Sequence, residues 1–226
     1  MILLEKELHK SYINSINIPD DNEHFFDRDK DFHEHMLAYH CAIREISTKF
    51  QVLNDELSVI NNRNPIETIK TRIKSPKSIA KKLIKRNFEV SLESMEKNLN
   101  DVAGVRIICS FIDDIYFIAK LFARQDDVRV IEIKDYIKNP KPNGYRSYHM
   151  IVEIPVFFSN EKKYVKAEVQ IRTIAMDFWA SLEHQVRYKK DIDNPEAIEK
   201  QLKECADVIN ASDYKMMSIA KQINIL

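Results

Sequence analysis

Glycine is unusually scarce in this sequence: the 226 residues include only two, Gly104 and Gly144. An average usage of about 7% would give roughly sixteen in a chain of this length. A Walker loop requires the pattern G-x-x-x-x-G-K-[ST], and a dinucleotide-binding loop requires G-x-G-x-x-G. Neither pattern can be written with these two residues. If the chain binds a nucleotide, side chains must therefore hold the phosphates in place of a glycine-rich backbone loop.

Other absences narrow the class of protein further. Three widely spaced cysteines, at positions 41, 109 and 205, form neither a disulfide framework nor a zinc pattern. No apolar run approaches the ~18 residues that suggest a membrane span, and no His-Asp dipeptide is available for a metal-dependent hydrolase of the HD type. Lys and Arg together number 35, as do Asp and Glu. We therefore expect a globular protein of a reducing cytoplasm, without a membrane partner.

The spacing of apolar residues predicts a mixed α/β chain with helices at both ends. Residues 27–60 carry apolar side chains every three or four positions, which predicts a long amphipathic helix. Strand-like segments are predicted at residues 66–73, 102–111, 128–136, 148–157 and 163–172. Further helices are predicted from Ser75-Pro76 through Arg86, from a cap at Asp113 to about Arg124, from Thr173 with an apolar stripe of Met176, Trp179, Leu182 and Val186, and from Pro195 to about Asn224.

A basic segment lies between Thr68 and Phe88, where eight Lys and Arg residues occur without any acidic residue. A solvated helix face would explain this segment as well as an anion site would. The anion site is favoured by spacing, because Ser78, Lys82 and Lys85 share one helix face that points back toward Arg72 and Lys74.

Two carboxylates stand near the ends of predicted strands. Along residues 163–172 apolar and polar side chains alternate, so Glu168 shares a face with Gln170 and Arg172. Asp101 comes just before the apolar strand that carries Arg106. Mg²⁺ takes oxygen ligands and keeps waters and substrate phosphates, so such a pair suits phosphoryl transfer. The same polar face could also simply meet water.

The segment 138–149 is the most informative part of the sequence. Pro142-Asn143-Gly144 predicts a turn, which places the following residues at the mouth of a sheet. If the chain is extended after this turn, Tyr145, Ser147 and His149 share one face. An aromatic ring beside Lys141, Arg146 and His149 suits a stacked base with phosphate nearby, whereas a hairpin loop with a half-buried tyrosine is the alternative.

Four blocks of sequence together resemble the synthetase domain of RelA/SpoT homologues. They are R72-x-K74-x-x-x-S78-x-x-x-K82, D101-V-A-G-V-R106, N139-P-K-P-N-G-Y-R-S-Y-H149, and E168-V-Q-I-R172 followed by M176-D-F-W-A-S-L-E-H184. They cover about residues 68–190. The length and the missing His-Asp pair are similar to those of small alarmone synthetases of the RelQ/RelP type.

The resemblance implies a pyrophosphokinase that moves the β,γ-pyrophosphate of ATP onto the 3′-hydroxyl of GDP or GTP, giving ppGpp or pppGpp, without hydrolase activity. It implies an α/β (α+β) fold in which helices flank a mixed sheet akin to nucleotidyltransferases. The residues it assigns to ATP are Arg72 and Arg106 on adenine, with Lys74, Ser78, Lys82 and Lys85 on phosphates. Those it assigns to GDP or GTP are Tyr145 on guanine, with Lys141, Asn143, Arg146, His149, Gln170 and Arg172. Asp101 and Glu168 would bind Mg²⁺, and Glu168 would also accept the proton of the 3′-hydroxyl.

The same resemblance suggests the organisation of the chain and its partners. We expect an N-terminal helical extension over residues 1–62, a synthetase domain over 63–190 and a C-terminal helix over 191–226. The partners implied are ATP and GDP or GTP as substrates, and further copies of the chain in a cytoplasmic homotetramer assembled through the terminal helices. RNA is not expected to be required.

Two rival functions follow from the same residues. Toxic relatives in this family pyrophosphorylate the 3′ end of tRNA or make an adenosine alarmone, and the basic run 81–86 could serve an RNA acceptor stem. A catalytically inactive module that only senses nucleotides is the other rival, although both carboxylates and the basic row are present.

Overall fold

A computed structural model describes residues 29–61, 63–188 and 195–224. Residues 1–28, which include the first part of the expected N-terminal extension, lie outside the described residues. The helices are α1 Asp29–Asn61, α2 Pro76–Lys85, α3 Leu92–Asn98, α4 Ile112–Ala123, α5 Ile174–Tyr188 and α6 Pro195–Gln222. The strands are β1 Ile66–Ile73, β2 Ala103–Cys109, β3 Arg129–Asp135, β4 Tyr148–Phe157 and β5 Lys162–Thr173.

The five strands form one mixed sheet in the order β1-β2-β5-β4-β3. β2 and β5 run parallel, and the other neighbouring pairs run antiparallel. The predicted mixed sheet with flanking helices is therefore confirmed. The parallel pair places β2, which follows Asp101, directly beside the strand that carries Glu168.

One face of the sheet forms the hydrophobic core. Side chains alternate along β5, so that Val165, Ala167, Val169 and Ile171 are buried on this face. The amphipathic helix α1 and the helix α4 cover it, and the rings of Phe50 and Phe122 stack there at a centroid distance of 4.4 Å. Because a strand turns successive side chains to opposite faces, the polar residues of β2 and β5 are left on the other face.

Most predicted elements are found, with three differences. The helix α3 was not predicted, because seven residues are too few to establish an apolar period, although Ser91 caps it through its side chain. The N-cap position of α4 is Phe111 and not Asp113; the carboxylate that accepts from the Phe111 backbone N–H, at 3.2 Å, belongs to Asp114. The stripe of α5 is only half buried, since Leu182 and Val186 are 44% and 40% exposed.

The described part of the N-terminal segment packs on the sheet. Phe32, Met36 and Ile46 of α1 belong to the same core cluster as the strand residues Ile107 and Ile171. The division of the chain into three parts remains a prediction. Among the described residues, no helix combines the length and apolar character that a membrane span requires.

Candidate active site

The sheet register brings polar side chains into a row across its open face. Lys70 of β1 pairs with Arg106 of β2, Arg106 with Gln170 of β5, and Gln170 with His149 of β4. In the neighbouring row Gly104 lies between Arg72 and Glu168. Residues paired in register share a face of the sheet, so basic, amide and acidic groups from four strands meet on one surface.

A cavity of about 460 Å³ opens on this surface. Its volume falls within the range of small-molecule sites, about 300–1,000 Å³. Gly104 has no side chain to fill the space between Arg72 and Arg106. The residues that line the cavity are Lys70, Thr71, Arg72, Lys74, Asp101, Gly104, Val105, Arg106, Glu168 and Gln170.

Asp101 gathers the phosphate-binding lysines predicted from sequence. Its Oδ2 lies 3.0 Å from Lys74 Nζ and 2.5 Å from Lys82 Nζ. Burial raises the pKa of the Asp101 carboxyl, but the hydrogen bonds from Lys82 and Lys74 outweigh burial and hold that pKa below its ordinary value. Asp101 is therefore ionised at neutral pH.

The other oxygen of this carboxylate suits a cation. Asp101 Oδ1 is buried and has no hydrogen-bond partner among the described residues. A buried acceptor without a donor is costly unless a ligand or ion satisfies it. No group of three or more His, Cys, Asp or Glu side chains converges in the described part of the chain, so a metal here would have two carboxylates at most, Asp101 and Glu168. This donor set suits Mg²⁺, which is bound by one or two carboxylates together with substrate phosphates.

Glu168 sits in a closed ring of hydrogen-bonded side chains. Its Oε1 lies 3.2 Å from His149 Nδ1, and its Oε2 accepts from Gln170 Nε2 at 2.8 Å. His149 Nε2 lies 2.8 Å from the Tyr145 hydroxyl, which accepts from Arg172 Nη2 at 2.5 Å. Arg172 Nη2 also donates to Gln170 Oε1 at 3.0 Å and so closes the ring. Each member fixes the next, so the five side chains are held as a unit.

This ring influences the charge states of Glu168 and His149. Burial raises the pKa of the Glu168 carboxyl, but hydrogen bonds from His149 and Gln170 outweigh burial and keep that pKa below its ordinary value. Burial lowers the pKa of His149 despite the attraction of Glu168. At neutral pH the ring therefore holds a Glu168 carboxylate beside a neutral imidazole.

The side chains of Tyr136 and Tyr145 form an aromatic wall at the hydrogen-bonded ring of side chains. Lys141 Nζ lies 4.7 Å from the centroids of both Tyr136 and Tyr145, and the Arg172 guanidinium lies 5.0 Å from the Tyr145 ring. Lys141 is exposed, so its flexible side chain can leave the Tyr145 ring to a flat ligand. Lys141, Tyr145, His149, Gln170 and Arg172 are thus brought together as one group.

The predicted turn before Tyr145 is present and packs on α6. Gly144 N donates to Lys141 O at 2.8 Å, and Gly144 has φ +87°. A Cβ at Gly144 would lie 2.5 Å from the Cβ of Ala206 in α6. Asn143 donates to Glu183 of α5 at 3.2 Å, so helices on two sides fix the turn.

Besides Lys82, which pairs with Asp101, four predicted site residues belong neither to the group at the aromatic wall nor to the cavity lining: Asn143 of the turn, Arg146, Ser78 and Lys85. The Arg146 guanidinium donates to Gly144 O at 3.0 Å and pairs with Asp207 of α6 at 3.1 Å, so it anchors the loop to α6, and its role at the acceptor phosphates stays a prediction. Ser78 bonds Ser75 at the start of α2, with 2.8 Å between their hydroxyls. Lys85 is exposed in the last turn of α2. Neither Ser78 nor Lys85 lines the cavity.

Four residues of the open face were not assigned to the site from sequence. Lys70 lines the cavity, Tyr136 extends the aromatic wall, Lys134 continues the polar row beside His149, and Asp177 binds three cations. Lys70 belongs to the basic segment between Thr68 and Phe88, which was the available sequence signal for it. The position of Asp177 depends on how α5 leaves β5, which no local pattern reveals.

Comparison with known proteins agrees with this geometry. Residues 71–193 match the family described as the region found in RelA / SpoT proteins. The GTP pyrophosphokinase YwaC of Bacillus subtilis (strain 168) is 46% identical over 86% of this chain and 93% of its own length.

Solved structures extend the comparison to the fold. Small alarmone synthetase 2 of Bacillus subtilis superposes with a TM-score of 0.77 at 46% identity, covering 85% of this chain and 99% of that one. Small alarmone synthetase 1 of the same organism, bound to its product pppGpp, gives a TM-score of 0.78 at 31% identity, covering 86% and 99%. With its domain match spanning more than half of its length and these relatives covered almost completely, the chain belongs to the RelA/SpoT family.

Proposed function

We propose that the chain is a GTP pyrophosphokinase that transfers the β,γ-pyrophosphate of ATP to the 3′-hydroxyl of GDP or GTP. The observation that supports this most directly is the open face of the sheet, where Asp101 and Glu168 line one nucleotide-sized cavity beside an aromatic wall. The relative at 46% identity is named for this activity, and the related small alarmone synthetase 1 was crystallised with pppGpp.

The donor nucleotide is assigned to the β1–β2 side of the cavity. Arg72 and Arg106 flank the space above Gly104, which suits an adenine ring between two guanidinium planes. Lys74 and Lys82 stand at Asp101, where their charges serve the phosphates of ATP. The lysines take the place of the glycine-rich loop that the sequence excludes.

The acceptor nucleotide is assigned to the aromatic wall. Guanine stacks on the Tyr145 ring after Lys141 moves aside, and Lys141 then meets the acceptor phosphates. The hydrogen bonds of the Tyr145 hydroxyl with His149 and Arg172 hold the plane of its aromatic ring in place. The 3′-hydroxyl faces Glu168, between the two nucleotides.

Glu168 acts on the proton of that hydroxyl. The acceptor 3′-oxygen attacks the β-phosphorus of ATP, the bond from that phosphorus to the α,β-bridging oxygen breaks, and AMP leaves. The proton passes from the 3′-hydroxyl to the Glu168 carboxylate. Mg²⁺, when bound by Asp101 and Glu168, supplies neutralisation of the charge on the phosphate oxygens. The absence of a hydrogen-bond partner for Asp101 Oδ1 among the described residues supports this assignment.

We also propose a cytoplasmic homotetramer assembled through the terminal helices. The helix α6 and the residue after it support an assembly surface, because Val208 and Met216 of α6 are 67% and 58% exposed and Ile223 is 60% exposed. Exposed apolar side chains along a helix mark a surface that gains stability when covered.

The decisive experiment supplies three acceptors to the purified protein. ATP labelled in its β- or γ-phosphate is incubated with Mg²⁺ and GDP, GTP or deacylated tRNA, with Glu168→Gln as the inactive control. The expected products are labelled ppGpp or pppGpp and unlabelled AMP, without RNA and at physiological salt. A chain that ignores GDP and GTP but labels the 3′ end of tRNA has the rival function.

A further inference from the structure

The single carboxylate of Asp177 contacts both sides of the site: Lys70 and Arg106, which line the cavity, and Arg172, which belongs to the hydrogen-bonded ring. It lies in the first turn of α5 and is 7% exposed. Its Oδ1 accepts from Arg106 Nη1 at 3.1 Å and from Arg172 Nη1 at 3.3 Å, and its Oδ2 accepts from Lys70 Nζ at 2.8 Å. The three cations come from three different strands, β1, β2 and β5, so one side chain ties together elements far apart in sequence.

The positive charges of Lys70, Arg106 and Arg172 lie close together, so they need the negative charge of this carboxylate. Arg172 is 3% exposed, and Arg106 lies near enough to share the same Asp177 oxygen. Breaking a buried ion pair by removing one partner leaves an uncompensated charge. Burial raises the pKa of Asp177, but Lys70 and the two arginines outweigh burial and hold that pKa below its ordinary value. The carboxylate is therefore ionised while the enzyme works.

Each arginine leads to a different nucleotide. Arg106 lines the donor cavity, where the proposed function assigns it to adenine. Arg172 donates to the Tyr145 hydroxyl at 2.5 Å, and Tyr145 is assigned to guanine. A shift of Asp177 would therefore move a donor contact and an acceptor contact together, whereas Lys82 and Tyr145 each serve one side.

We propose that Asp177 is a positioning residue for both substrates. It fixes Arg106, on the donor side of the site, relative to Arg172, on the acceptor side. The proposal rests on the proposed function for the identity of the two nucleotides. It requires no contact between Asp177 and either substrate. Its distinguishing consequence is that loss of the Asp177 charge weakens donor binding and acceptor binding in parallel.

Asp177→Asn tests the proposal with little change of size. An asparagine can still accept from one arginine, but it presents an amide N–H₂ to Lys70 and carries no charge. We expect the dissociation constants for a non-hydrolysable ATP analogue and for GDP, each measured alone by calorimetry, to rise by about five- to thirtyfold. That range corresponds to about 1–2 kcal/mol at 1.4 kcal/mol per decade.

The matched control is Asp114→Asn. Asp114 is also a buried carboxylate, 2% exposed, and it pairs with Arg63 at 2.9 and 2.5 Å without lining the cavity. This variant should lose a comparable amount of thermal stability and keep both affinities. Asp177→Glu retains the charge and should recover most of the affinity for both nucleotides, which keeps the test decisive if Asp177→Asn folds poorly.

The outcomes separate this proposal from the proposed function. If the wild-type protein turns over ATP and GDP while Asp177→Asn binds both nucleotides unchanged, or loses only one, Asp177 has no joint positioning role. The same conclusion holds if Asp114→Asn loses both affinities equally, or if Asp177→Glu is as weak as Asp177→Asn. A wild-type protein that binds neither nucleotide refutes the proposed function itself.

Discussion

Replacement of Gly144 by alanine should damage acceptor binding far more than the same replacement at Gly104. Gly144 has φ +87°, a backbone conformation that residues with a Cβ rarely adopt. Its added Cβ would lie 2.5 Å from the Cβ of Ala206 and 3.5 Å from the Cα of Lys203. Both neighbours belong to α6, so the methyl group would push the turn and this helix apart.

The size of the effect follows from two costs. Holding an alanine in a left-handed conformation costs about 1–2 kcal/mol, and overpacking at a fixed contact costs about 1–3 kcal/mol. Their sum, roughly 2–5 kcal/mol, does not exceed the usual stability of a domain, about 5–15 kcal/mol. The protein should therefore fold, with the strain relieved by displacement of the turn that precedes Tyr145.

The assay combines GDP titration with chemical denaturation. A displacement that costs about 2 kcal/mol in the binding-competent turn would raise the KM for GDP by roughly thirtyfold at 1.4 kcal/mol per decade, with less change for ATP. Gly104→Ala is the comparison variant, since its Cβ would meet only Arg72 O at an ordinary 3.6 Å. It should leave the KM for GDP unchanged.

A compensating substitution makes the reasoning refutable. Ala206→Gly removes the atom that the new methyl group meets, at a cost of about 1 kcal/mol for a glycine inside a helix. The double variant Gly144→Ala/Ala206→Gly should then be more stable than the sum of the two single effects by about 1–3 kcal/mol. Strict additivity, or a Gly144→Ala variant with wild-type affinity for GDP, would show that this contact does not constrain the turn.

The remaining predictions concern the groups that face the substrates. Asp101→Asn and Glu168→Gln should each lower kcat by at least about a hundredfold without unfolding the protein, and normal turnover with Mg²⁺ present would contradict the metal assignment. Lys82→Ala and Arg72→Ala should raise the KM for ATP more than that for GDP; the reverse pattern would mean that the two sites are exchanged. Tyr145→Ala should raise the KM for GDP or GTP by about ten- to a hundredfold, because a base–aromatic stack is worth ~1–3 kcal/mol, and an unchanged KM would remove guanine from this wall. The folded-state pKa of Asp101 lies below its unfolded value of about 3.9, so its ion pairs add stability above that pH that is lost as the pH falls through the folded pKa. In metal-free urea titrations the stability gap between wild type and Asp101→Asn should therefore narrow below about pH 4, and a gap that stays constant would contradict the lowered pKa of Asp101.

Local pattern was enough to predict the strands and the turn. The alternation along residues 163–172 predicted the two faces of β5 that the structure has, because a strand has a period of two. Pro142-Asn143-Gly144 predicted the turn, since glycine supplies the positive φ found at Gly144. In both cases the residues that determine the structure are neighbours in sequence.

The contacts that complete the site depend on distant residues. The partner that the structure gives Arg146 is Asp207, which is 61 positions away on a helix whose docking no motif indicates. Asp177 binds Lys70 across 107 positions and Arg106 across 71. In the sequence Asp207 and Asp177 are ordinary charged residues, and only the packing of α5 and α6 brings them to their partners.

The alternating faces of β5 also constrain how the gene can change. Val169 and Ile171 are buried in the core, while Glu168 and Gln170 line the cavity, so adjacent codons answer to different demands, folding in one case and catalysis in the next. Substitutions can accumulate at the positions of one face without disturbing the positions of the other face. An insertion or deletion of a single codon within the strand would turn every side chain beyond it to the opposite face. The length of β5 is therefore far less free to change than its composition.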